Sequence, residues 1–308
     1  MKRALGLLAF CLLALAAQAR TFYVIVAGLG GEPDYEQRFT AAANDLDRIF
    51  KSAGGAARVY TLTGAGATAA RFRDAMMTVQ REASAEDDFA LILIGHGSFD
   101  GVEYKFNLHG PDVTSKEIGA MCDGVRSRRQ LIVDTTSASG GAIAALEKPG
   151  RAVIAATKSG TEKNATVFVR YWVDALEDPS ADADKSDSVS AMEAFRYAAG
   201  KTSAFYDAEK RLATEHAVFN DVGRGEAVRE AGNGQGMLLA SFTLVRLGAS
   251  RLAANDPLKR ALLDKKEELE QKIDSLKYRK AAMDPADYKK QLTDALVELS
   301  RVQEKLDQ

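Results

Sequence analysis

The chain has 308 residues, of which 46% are hydrophobic and 27% charged, and its formal net charge is −2. This composition is typical of a globular protein with a packed core and excludes a disordered or fibrous chain. The slight acidic excess predicts no general attraction to nucleic acid or to anionic lipid.

The first residues predict export. Lys2 and Arg3 precede an apolar run over residues 4–17, and Ala17-Gln18-Ala19 matches the small-x-small pattern of a cleavage site. A membrane-spanning helix needs ~20 apolar residues, and this run is shorter. We therefore expect residues 1–19 to be a removable signal peptide. The mature protein is then periplasmic or secreted, without stable membrane insertion.

Short apolar runs alternate with helical periodicity over residues 20–250, a pattern typical of parallel strands joined by crossover helices. Strands are predicted at residues 21–27, 58–62, 89–94, 130–135 and 152–157. Helices are predicted at residues 39–51, 69–82, 114–125, 142–146, 167–176, 189–199 and 203–214. Residues 102–108 alternate and predict a small hairpin, whereas residues 237–247 fit either a strand or a helix.

The last part of the chain predicts a separate helical element. Residues 179–187 are acidic and predict a surface loop, and residues 254–308 are rich in Lys, Glu, Leu and Gln. Leucines recur every seven residues in two segments, at Leu262, Leu269 and Leu276 and at Leu292, Leu299 and Leu306. This spacing predicts an antiparallel helical hairpin. The hairpin either packs on the main domain and on itself or contacts a protein partner.

Polar residues follow the third and fourth predicted strands, at the carboxyl ends where parallel sheets carry their sites. The third strand runs into His96-Gly97, and the fourth runs into Ser137-Ala138-Ser139-Gly140. Neighbouring strands lie ~4.8 Å apart, so an imidazole and a hydroxyl can share one site. A structural histidine and a helix-capping serine are the alternatives.

These two motifs resemble those of the legumain-type peptidases of the caspase-like clan, in which a strand-terminal His-Gly precedes a turn of the form Cys-x-Ser-Gly. The likeness extends to residues 24–28 with Asp34-Tyr35 and to Glu162-Lys163-Asn164. The resemblance implies an α/β, caspase-like three-layer αβα fold with a mostly parallel central sheet, to which the C-terminal α-helical hairpin is added. It implies neither a cofactor nor a metal.

The resemblance also implies roles for individual residues. His96 is the expected base, Ser137 stands where the family has its catalytic cysteine, and Asp34 stands where an asparagine assists the histidine. The expected oxyanion and substrate-binding residues are Gly97, Ser139, Gly140 and Glu162, with the Ser137 N–H as a second oxyanion donor. A serine is a weaker nucleophile than a thiol of pKa ~8.5 and needs a firmly held base.

Three functions remain open from the sequence. The first is a peptidase-type hydrolase of the cell envelope that attacks a peptide or protein substrate with Ser137. The second is a catalytically silent relative that binds peptides or acts as a scaffold. The third is a serine esterase-like hydrolase, because residues 137–141 approximate the Gly-x-Ser-x-Gly turn and His216 lies downstream. Cys122, in a predicted helix, is expected to be a buried structural residue.

Overall fold

The computed structural model describes residues 19–53, 56–232, 234–254 and 256–307. Of the expected signal peptide, only residue 19 falls within the described residues. The strands in chain order are β1 Thr21–Ala27, β2 Ala57–Leu62, β3 Asp88–Ile94, β4 Gly97–Phe99, β5 Tyr104–Phe106, β6 Val113–Thr114, β7 Arg129–Asp134, β8 Arg151–Ala155, β9 Ser188–Ser190, β10 Val218–Asn220 and β11 Thr243–Arg246. The helices are α1 Pro33–Ser52, α2 Ala69–Glu82, α3 Ser115–Asp123, α4 Ile143–Leu146, α5 Phe168–Ala175, α6 Ala191–Ala208, α7 Met237–Ser241, α8 Gly248–Ala253, α9 Pro257–Arg279 and α10 Pro285–Leu306.

The central sheet has six strands in the order β10-β8-β7-β3-β1-β2. All neighbours pair in parallel except β10, which runs antiparallel to β8. The five predicted strands are present, and β3 is buried along its whole length, as expected for a strand covered on both faces. The chain reverses its winding direction between β1 and β3, and sites in such sheets lie at the carboxyl ends of the strands next to this point.

Alternate residues of the strands feed two hydrophobic cores, one on each face of the sheet. In β1, Tyr23 and Ile25 enter the core that is shared with α1, α5 and α6. Phe22 and Val24 enter the opposite core, which is shared with α2, α3 and α4. The predicted three-layer αβα fold with a mostly parallel central sheet is therefore confirmed.

In the second half, one expectation needs correction and one open alternative is decided. Residues 189–199 and 203–214 do not form two helices, because α6 continues through Gly200 and ends before Lys210, whose φ is +52°. Residues 237–247 contain both a helix and a strand, α7 and β11. β11 does not extend the main sheet but pairs with β9.

The predicted C-terminal hairpin is confirmed, and it is antiparallel. Lys259 Nζ lies 3.4 Å from the carbonyl oxygen of Leu306, and Lys265 Nζ lies 3.4 Å from the Glu298 carboxylate. The hairpin also contacts the α/β core, because Arg246 of β11 forms salt bridges of 2.6 and 2.7 Å with α9. No helix within the described ranges combines the length and the apolar character needed to cross a membrane.

Candidate active site

His96 lies just beyond the carboxyl end of β3, with its ring against α1. The ring makes edge contacts with Tyr35 and Phe39, at centroid distances of 4.9 and 5.1 Å. Burial lowers the pKa of the imidazole, against smaller raising effects of a hydrogen bond to the Gly30 backbone and of the Glu32 charge. The ring is therefore neutral at neutral pH, which is the form that a general base requires.

Ser137 follows the neighbouring strand β7 and meets the residue after His96. Its Oγ accepts a hydrogen bond from the Gly97 N–H at 3.1 Å and lies 3.1 Å from the Gly97 carbonyl oxygen, to which it donates. The two strand ends are thus brought together. In the described part of the chain, no hydrogen bond joins Ser137 to the imidazole, and none occupies the Ser137 N–H.

The turn that carries Ser137 is fixed by the loop after β8. Ala138 has a φ of +57°, and its N–H donates to the carbonyl oxygen of Glu162 at 2.8 Å. The Ser139 and Thr157 hydroxyls lie 3.2 Å apart, and the Gly140 N–H donates to the Thr157 hydroxyl at 2.9 Å. Ser139 is fully buried, and the Gly140 N–H already donates to Thr157. In this structure both residues therefore hold the turn in place.

Asp34 is not brought to the imidazole. It lies in the first turn of α1, where its side chain is 64% exposed and forms a salt bridge with Arg38. The groups of α1 that contact the His96 ring are instead the side chains of Tyr35 and Phe39. These contacts could not be predicted from the sequence, because they depend on how α1 lies on the sheet.

Glu162 is engaged with His216 at the same edge of the sheet. Its Oε1 lies 2.5 Å from His216 Nδ1, and its Oε2 accepts the N–H groups of His216 and Lys158 at 3.1 and 2.9 Å. His216 reaches this edge because it precedes the antiparallel strand β10. The carboxylate therefore joins two loops of the site.

A buried polar group beneath the site was not predicted. Asp134, the last residue of β7, accepts a hydrogen bond from the Thr136 hydroxyl at 2.7 Å, and that hydroxyl lies 2.7 Å from the Tyr104 hydroxyl. The second carboxylate oxygen of Asp134 has no partner within the described chain. Burial raises the pKa of Asp134 to about 6. The sequence offered one clue, a carboxylate that ends an apolar strand.

Two other groups of the chain have the chemistry of a nucleophile or of metal ligands. Cys122 is buried in α3, and burial raises the pKa of its thiol to about 12, which makes it unreactive. Among the described residues, one cluster of carboxylate side chains could hold a metal ion. It consists of Asp182, Asp184 and Glu193. It belongs to the loop before α6 and to the first turn of that helix, not to the strand ends.

Comparisons with known proteins add a similarity in fold. No protein-family model matches the chain, and no curated protein matches it. Among solved structures, the chain is similar to the Drosophila initiator caspase Dronc, with a TM-score of 0.46 and 10% sequence identity. The similarity covers 69% of this chain and 84% of the caspase chain. At this identity, residue roles do not transfer from one protein to the other.

Proposed function

We propose that this protein is a caspase-fold, peptidase-type hydrolase, related to the legumains, that uses Ser137 as nucleophile and His96 as base. One observation carries the proposal. The 3.1 Å hydrogen bond from the Gly97 N–H to Ser137 Oγ brings the residue after the base next to the nucleophile. The Gly97 N–H therefore lies beside the place where the carbonyl oxygen of a bound substrate would become an oxyanion, and backbone donors at that place stabilise the oxyanion.

In the proposed reaction, Ser137 Oγ attacks the carbonyl carbon of a peptide bond while its proton passes to the neutral His96 imidazole. The proton reaches the ring directly or through one water, since catalytic hydrogen bonds are often made only once substrate is bound. The N–H groups of Gly97 and Ser137 stabilise the oxyanion. His96 then protonates the leaving amine, and water hydrolyses the acyl-serine ester.

Other residues support this reaction by holding loops. The side chains of Tyr35 and Phe39, rather than Asp34, orient the imidazole, since they pack against its ring. Ser139, Gly140 and Glu162 keep the nucleophile turn against the loops after β8 and before β10. Export of a mature chain from residue 20, a catalytic domain over residues 20–250, and contact of the hairpin with a protein partner belong to the same proposal. They rest on the sequence alone.

Labelling with a fluorophosphonate probe, mapped by mass spectrometry, tests the proposal. We expect covalent modification at Ser137, and we expect His96→Ala to slow it at least ~100-fold, the usual contribution of a general base. Replacement of the exposed Ser98 by alanine (Ser98→Ala) is the matched control and should leave labelling at Ser137 in place. Modification at Ser139 instead would favour the esterase-like hydrolase.

One observation favours a second candidate, a catalytically silent site that binds peptides. Ser137 is only 2% exposed, and the Gly97 backbone takes up both the donor and the acceptor of its hydroxyl. Folded protein that resists the probe but binds a fluorescent peptide pool, with binding weakened by His96→Ala, would establish this candidate and exclude the hydrolase.

A further inference from the structure

The segment from Asp182 to Glu193 is not used by the strand-end site, yet its sequence follows a known ligand spacing. Oxygen-bearing side chains stand at positions 1, 3, 5, 9 and 12 of this twelve-residue stretch: Asp182, Asp184, Ser186, Ser190 and Glu193. The EF-hand calcium loop takes ligands from these same positions and from the carbonyl of position 7, with glutamate at position 12. The match to the EF-hand positions therefore rests on two serine hydroxyls, at positions 5 and 9, as well as on three carboxylates.

The fold brings these oxygens together. One carboxylate oxygen from each of Asp182, Asp184 and Glu193 lies within 4.8 Å of the others. Calcium binds oxygens at ~2.3–2.6 Å, so two ligands of one ion lie at most ~5 Å apart. Ser190 Oγ is 2.8 Å from Glu193 Oε2, and Ser186 Oγ is 3.5 Å from the Ser188 carbonyl oxygen. The spacing of these residues in the sequence and the short distances between their oxygens are separate observations. Both select the same set of ligands.

The backbone of the segment also follows that of a calcium loop. Asp187, at position 6, has a φ of +64°, where the EF-hand needs a sharp turn and usually has glycine. Positions 7 to 9 form the short strand β9, which pairs with β11. Helix α6 then begins, so Glu193 projects back toward position 1 from its first turn.

The surroundings of the loop are crowded with negative charge. A cleft beside it, about 270 Å³ in volume, is lined by Asp184, Glu193, Glu267, Glu270 and Asp274. Lys266 lies 3.8 Å from Glu270 and donates to the Ser186 carbonyl oxygen, and Arg196 also lines the cleft. The pKa of Glu270 is raised to about 7, mainly by burial and further by the charge of Asp184. A bound cation would relieve this repulsion.

We infer that residues 182–193 bind one calcium ion. The ligands are the carboxylates of Asp182, Asp184 and Glu193, the Ser186 hydroxyl, the Ser188 carbonyl and, directly or through water, the Ser190 hydroxyl. Magnesium fits less well, because it demands octahedral geometry and retains its waters. The ion would tie α6 to the β9–β11 pair, against which the C-terminal hairpin packs. This site is independent of the proposed hydrolase activity.

Isothermal titration of chelator-treated full-length protein with CaCl₂ tests the inference. We expect one site with a dissociation constant of about 10⁻⁴–10⁻³ M, the range of extracellular calcium modules. At 10 mM CaCl₂ the melting temperature should rise by about 5 °C, and 10 mM MgCl₂ should have a much smaller effect.

Two variants with the same charge change separate a calcium loop from a merely acidic surface. Asp184→Asn removes a ligand at position 3 and should weaken calcium binding at least tenfold. Asp187→Asn removes a charge at position 6, which supplies no side-chain ligand, and should change affinity less than threefold. Equal weakening by both variants, or equal binding of magnesium, would overturn the inference.

The variant Glu193→Gln tests the calcium site in a protein that should still fold. Glutamine can keep the capping box that Glu193 forms with Ser190 at the start of α6, while it removes the ligand charge. This variant should melt within a few degrees of the parent protein in EGTA and gain no stability from calcium. Retained calcium binding in this variant, or no calcium binding by the parent protein at 10 mM, would contradict the proposed site.

Discussion

His96 owes its chemical character to neighbours that are distant in sequence. Its place after β3 was predictable, because His-Gly follows an apolar strand. The packing of its ring on Tyr35 and Phe39 was not, since that contact depends on how α1 lies on the sheet. Asp34 was the expected orienting group by alignment of motifs, but its position in an exposed first turn leaves it paired with Arg38.

The protonation of His96 can be measured without any activity assay. With three histidines in the chain, NMR titration can resolve each imidazole. We expect the pKa of His96 to lie below its usual 6.5, because burial disfavours the charged ring. Tyr35→Ala opens the ring to water and should move the pKa back toward 6.5. A wild-type pKa at or above 6.5 would show that the ring is solvated.

The buried carboxyl group of Asp134 should make the folded protein less stable as the pH rises. Its pKa is about 6 in the folded protein and 3.8 ordinarily, so the native state binds the proton more tightly. Stability from this group is present below pH 3.8 and is lost as pH rises to 6, by at most about 3 kcal/mol. Urea unfolding at several pH values should show this loss in the wild type and not in Asp134→Asn. The half-exposed Asp45→Asn is the control, and parallel curves for all three proteins would refute the assignment.

At the scale of elements, long and periodic segments were predictable and short ones were not. The parallel strands and the Thr114–Glu117 capping box of α3 follow from local patterns, and the structure has them. The strands β9, β10 and β11 have three or four residues each, too few to display a period. The two helices predicted at residues 189–199 and 203–214 are one helix, α6, because Gly200 lies on an exposed face where glycine costs only ~1 kcal/mol.

The hairpin helix α9 should be an integral part of the folded protein. Leu269 is 1% exposed, whereas Leu258 in the same helix is 80% exposed. Leu269→Ala should lower the free energy of unfolding by about 2–5 kcal/mol, and Leu258→Ala should change it by less than ~0.5 kcal/mol. Urea unfolding followed by circular dichroism measures both. Similar small effects in the two variants would mean that α9 contributes little to stability.

At the scale of the molecule, strand order decides which residues can meet. β3 and β7 are neighbours in the sheet, so residues that follow them share one edge, and this juxtaposition could be inferred from alternation of strands and helices. The engagement of Glu162 with His216 could not be inferred, because it requires the position of β10. The buried Asp134 group likewise depends on Tyr104 from the small sheet of β4, β5 and β6.

The most direct test of the shared site is the reactivity of a thiol at position 137. In Ser137→Cys, the rate of iodoacetamide alkylation against pH gives the thiol pKa, and peptide mapping excludes reaction elsewhere. Buried Cys122 serves as an internal unreactive thiol. We predict a lower thiol pKa in Ser137→Cys than in the Ser137→Cys/His96→Ala double variant, because the neutral imidazole can accept the thiol proton and pair with the thiolate. An unchanged pKa on removal of His96, or no alkylation of the folded protein, would contradict a site shared by the two strand ends.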